Sequence, residues 1–180
     1  LPFVLETRFE ASATLTGVVM ALLMLAFALG ALGSVRLSQL LEARATVAVA
    51  FIGIGVGHLL LSGVVPGVSA LVSIFPSALI SGIGFGLFAP NLIAWLAAIA
   101  PPHLRGRLFG GITGSLFLGQ FLAPILWAPA LTAFGRAGAI AFAGSLTLVV
   151  GACLALSVWI RPNGGRASVA RTSGPEPRTP

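Results

Sequence analysis

Side chains capable of chemistry are sparse in this sequence, and the few present do not cluster. There is no Asp, no Lys and no Tyr, and the four glutamates are Glu6, Glu10, Glu42 and Glu176. General acid–base work by a carboxylate pair needs two such groups in one site, and none of the four lies inside an apolar stretch. His58 and His103 are the two histidines and Cys153 the one cysteine, so no cluster has metal-ligand spacing and no internal disulfide can form. The run Gly82-Ile83-Gly84-Phe85-Gly86 is no dinucleotide loop, because no strand precedes it. The sequence therefore does not read as an enzyme, and neither a metal nor a cofactor is expected.

What remains is a handful of polar and aromatic groups within long apolar runs. Thr113, Phe117, Gln120, Pro124 and Trp127 fall at i, i+4, i+7, i+11 and i+14, which at 100° per residue is one helical stripe about 80° wide. Gly111, Ser115 and Gly119 lie opposite and read as a packing face. An amide near the middle of an apolar span is costly unless it meets a partner or a water-filled cavity. Gln120 is thus either a substrate-cavity residue or the donor of one interhelical hydrogen bond. Asn91, after Pro90 and one turn before Trp95, carries the same alternative: a cavity lined by irregular backbone, or a local amide–backbone bond at a kink. Met20, Leu23 and Phe27 form an apolar stripe suited to core packing, although a methionine surface also suits varied ligands. His58 could relay protons, but no acidic partner lies in the spans, and a neutral imidazole with one hydrogen bond is the cheaper arrangement.

The elements that hold these residues follow from composition. Of 180 residues 57% are hydrophobic and 8% charged, and the mean hydropathy is +1.06; a soluble domain usually carries about 25% charged residues. A bilayer is the implied solvent. Residues 11–35, 45–104, 108–135 and 137–160 carry no Asp, Glu, Lys or Arg apart from their flanks, and each meets the roughly 20 residues needed to cross a hydrocarbon core. The fold expected is an all-α, polytopic transmembrane bundle of about five spans, 14–34, 46–64, 71–100, 108–134 and 139–160. Pro66-Gly67 and Pro101-Pro102 break the runs, Pro76 and Pro90 kink the third, and Gly135-Arg136 forms a tight turn. Residues 1–13 read as the end of a truncated preceding helix plus an extracytoplasmic loop, and 161–180, rich in Arg, Gly, Ser and Pro, as a disordered cytoplasmic tail. Further small-residue seams are expected at Gly53/Gly57, Ser73/Ser77/Ser81 and Gly82/Gly86.

All ten basic residues are Arg. Their scatter between spans points to lipid headgroups and topology rather than to nucleic acid. On alternate sides, Arg36, Arg44, Arg105, Arg107, Arg161, Arg166, Arg171 and Arg178 face Arg8 and Arg136, so the larger group marks the cytoplasmic face of an inner membrane.

The order of features resembles the C-terminal half of a major facilitator superfamily transporter, in particular bacterial sugar or drug efflux branches. The matching residues are Leu1-Pro2-Phe3 leading to Gly17, Gly82 to Gly86 with Ala89-Pro90-Asn91, Ala100-Pro101, Arg105-Gly106-Arg107 with Gly110, and Phe117-Leu118-Gly119-Gln120-Phe121-Leu122-Ala123-Pro124. Val35 stands where the family has an acidic residue before Arg36. The resemblance implies that the five spans are the family's eighth to twelfth helices. It places the eighth, tenth and eleventh around the cavity and the ninth and twelfth outside, which favours Asn91, Trp95 and Gln120 over His58 and Cys153. It further implies secondary transport of a small-molecule substrate by alternating access, with an N-terminal helix bundle as partner and any coupling carboxylate supplied from there. A non-transporting membrane subunit or scaffold is the alternative.

Overall fold

The computed structural model describes residues 12–63 and 70–160. The stub at the start of the chain, the break at Pro66-Gly67 and the tail 161–180 lie outside the described residues. All described elements are helices. Helix α1 (Ala13–Leu40) starts where the Ser12 hydroxyl accepts the Leu15 N–H at 3.2 Å, which satisfies one of the donors a helix start leaves open. It runs through Arg36 rather than ending near Ser34, so the connection to α2 is only Leu41 and Glu42. The reason is length: 28 residues rise about 42 Å, more than the roughly 30 Å of hydrocarbon, and the last turns are free to be polar while still helical.

Helix α2 (Ala43–Ser62) stops at Gly63, whose φ of 66° is the left-handed conformation that favours glycine at a helix end. Helix α3 (Ala70–Ile99) keeps Pro76 and Pro90 within it, and a 3-10 turn at Pro102–Leu104 leads to α4 (Arg105–Ile160). Helix α4 is interrupted once, at Gly135, with φ 64° and ψ −179°, a backbone region that is essentially restricted to glycine. It is therefore two arms, residues 105–134 and 136–160, meeting at a corner where the Phe134 and Phe142 rings stack at 6.2 Å.

Helix α3 is central. Helix α1 packs on one side of it and α2 on the other, and the second arm of α4 packs on the far side of α2. Small residues permit these approaches. Gly82 and Gly86 lie against the Leu23 and Phe27 carbonyls of α1, and a Cβ on Gly82 would fall 2.6 Å from Leu23 O. Gly57 lies against Ser77 and Ser81, while Gly55 and Gly144 bring α2 and the second arm together. Ser73, Ser77 and Ser81 are buried, and Val19, Ile74 and Ala78 form a core between α1 and α3. Gly53 makes only ordinary contact, 3.7 Å from Ile80 O.

The seam expected at Gly111, Ser115 and Gly119 is not formed among the described residues. All three are exposed, and a Cβ on Gly111 or Gly119 would meet nothing within 4 Å. Gly111 and Ser115 instead line an open cleft with Leu92 of α3, so among the described residues no helix comes close enough to use the small side chains.

Buried polar side chains bond mainly back along their own helices. The Ser34 hydroxyl donates to Ala31 O at 2.7 Å, Ser77 to Ile74 O at 2.7 Å and Thr147 to Ala143 O at 2.7 Å. Each of these buried or half-buried groups is thereby hydrogen-bonded without calling on a neighbouring helix.

Candidate functional site

The first arm of α4 presents one face to the rest of the bundle, and that face borders two cavities at successive heights. Nearer Arg105, Phe109, Ile112, Thr113 and Leu116 oppose Phe88, Ala89, Leu92 and Ile93 of α3 around a cavity of about 260 Å³. Nearer Gly135, Gln120, Ala123, Pro124 and Trp127 oppose His58 and Leu61 of α2 and Ile140 and Ala143 of the second arm around about 500 Å³. Thr113, Gln120, Pro124 and Trp127 share this face as the 3.6-residue period requires. Phe117 stands at its edge, 66% exposed, and lines neither cavity.

Asn91 and Trp95 are not brought to Gln120. Asn91 is 3% exposed and its Nδ2 donates to Leu87 O at 2.7 Å, the carbonyl four residues earlier. Trp95 faces the start of α2, where the Arg44 guanidinium carbon lies 5.9 Å from its ring centre, within cation–π range. Two turns of α3 earlier, Phe51 and Phe88 meet edge to face at 5.2 Å. These contacts commit that side of α3 to α2. Met20 is half-buried on α1, and its neighbours Leu22 and Leu23 pack on the core.

The residue that does meet the Gln120 cavity is His58, which the helix order had set aside. Its Nδ1 lies 2.7 Å from Ile54 O, and its ring meets Phe85 edge-on at 6.4 Å. This hydrogen bond is local to α2 and leaves Nε2 on the side of the cavity. Its place beside Gln120 was not visible in sequence, since it depends on the fold-back of α4 at Gly135. Among the described residues no group of three His, Cys, Asp or Glu could hold a metal ion, and Cys153 is exposed and free.

Among the described residues four helices are long and apolar enough to cross a membrane, α4 among them with its corner inside it, which defines a multi-pass membrane protein. The sequence profile of the Major Facilitator Superfamily matches residues 1–180. The chain belongs to that family and is a transporter of the major facilitator type. Neither the curated proteins nor the solved structures give a match.

Proposed function

We propose that the chain is part of a secondary active transporter that carries a small molecule across the inner membrane by alternating access, with its tail cytoplasmic. In this reading the spans number five, α4 supplying two of them around Gly135, and correspond to the family's eighth to twelfth helices. A second helix bundle completes the transport path. The observation that carries the proposal is the inward face of the first arm, where Gln120 stands at mid-length over a cavity of about 500 Å³. Transporters place substrate groups near the midplane between helices, and an unpaired amide there is expensive unless a ligand uses it.

Thr113, Gln120 and Trp127 are the substrate contacts of this reading. Asn91 and Trp95, bonded within α3 and to α2, support the stretch of α3 that faces Thr113. The arginines agree in sense: Arg36 and Arg44 flank the α1–α2 turn, Arg105 and Arg107 open α4 at the same end, and Arg136 follows the corner at the other.

The test is transport in everted vesicles of labelled monosaccharides and uncharged fluorescent dyes, with Gln120→Leu as the variant. Leucine keeps the volume and removes the amide. A substrate contact predicts a five- to tenfold loss of transport with normal expression. A structural glutamine predicts unchanged kinetics and a lower melting temperature, since an interhelical hydrogen bond is typically worth about 0.6 kcal/mol.

A further inference from the structure

We propose that the wedge between α2 and the two arms of α4 is a binding site for an uncharged, planar, largely apolar molecule bearing one hydroxyl group. As the substrate class it rests on the transporter reading; as a binding site it rests on geometry alone. Its volume of about 500 Å³ lies within the range of small-molecule pockets, about 300–1,000 Å³.

The wall carries no Asp, Glu, Lys or Arg. A charged ligand would lie in an apolar, membrane-embedded pocket with no counter-charge, which is strongly unfavourable. The wall does carry two side chains with hydrogen-bonding capacity to spare. A carbonyl oxygen can only accept, so the 2.7 Å contact to Ile54 O puts a proton on Nδ1, and Nε2 is the ring atom left to accept from a ligand. The Gln120 amide is both donor and acceptor and has no hydrogen bond among the described residues. A hydroxyl answers both: its proton goes to His58 Nε2 while its oxygen accepts from the Gln120 amide. The Phe85 ring against the His58 imidazole, 6.4 Å away at 69°, helps to hold the acceptor in place. Trp127 and Pro124 line the wedge from the first arm, and an indole ring favours stacking with a planar hydrocarbon body. Gln120 is exposed at the mouth, so its amide is reached from the open side of the wedge.

The test uses the full chain in lipid nanodiscs with hydroxypyrene as probe and pyrene as its hydroxyl-free control, read by energy transfer from tryptophan at neutral pH. Saturable transfer is expected for hydroxypyrene, with the saturable part removed by Trp127→Phe. His58→Leu and Gln120→Leu should each weaken it about threefold, the effect of losing one membrane hydrogen bond. His58→Phe, which keeps the ring and loses the acceptor, should do the same, with circular dichroism confirming unchanged helicity. Equal behaviour of pyrene and hydroxypyrene, or indifference to all three substitutions, means simple partitioning into lipid and overturns the site. Saturable binding without transport of hydroxypyrene, in vesicles where the chain is joined to its second bundle, leaves the site standing and removes this molecule from the substrate class. Transport without saturable binding does the opposite.

Discussion

Glycines that look alike in sequence have opposite surroundings in the bundle. Gly86 lies against the backbone of Phe27 and Ala31, whereas a Cβ on Gly114 would meet nothing within 4 Å. Gly86→Ala should therefore push α1 and α3 apart and cost about 1–3 kcal/mol, the usual penalty of overpacking. Gly114→Ala should be neutral or stabilise by up to about 1 kcal/mol through helix propensity. Thermal unfolding of both variants in one detergent measures the contrast, and equal effects would contradict the packing described. Sequence periodicity shows that a face is able to pack and does not say what covers it. The seams on α3 were legible because two helices pack closely enough to use them, whereas Gly111 borders an open cleft beside Leu92 and makes no close contact among the described residues.

Helix ends were legible where composition enforces them, at Pro101-Pro102 and at Gly135. They were less so at Arg36, because a helix ends where its hydrogen bonds end and not where its hydropathy does. The rotation of α3 was not legible at all, since the side taken by Asn91 and Trp95 depends on Arg44 and Phe51, forty or more residues away. The corner is the element on which the His58–Gln120 cavity depends. With φ at 64° and ψ at −179°, Gly135→Ala should cost about 1–3 kcal/mol and open the angle between the arms. Spin labels at Leu118 and Leu146 in a Cys153→Ser background should report a longer or broader distance distribution, and an unchanged distribution would show that the corner tolerates a side chain.

At the scale of the whole molecule the class was legible, because 57% hydrophobic against 8% charged residues admits hardly any solvent but lipid. Orientation rests on arginine alone, with four of the five described arginines at one end of the bundle. A cysteine at Ser168, in the Cys153→Ser background, should resist impermeant thiol reagents in intact cells and react after permeabilisation. Ready labelling in intact cells would invert the topology.

Ser34, Ser77, Thr147, Asn91 and His58 each spend a hydrogen bond on a carbonyl three or four residues back in their own helix. Where helices touch through such residues, the contact is made of methyl groups, glycine backbone and already-satisfied hydroxyls, and those bonds do not cross from one helix to the next. Such an interface resists separation, because van der Waals packing is lost when it opens, yet it offers little resistance to sliding or rolling, because these directional bonds need not break along the way. The bundle is in this respect a set of bearing surfaces: firm in compression, low in friction along the helix axes, and able to change register by small steps while each helix remains internally complete.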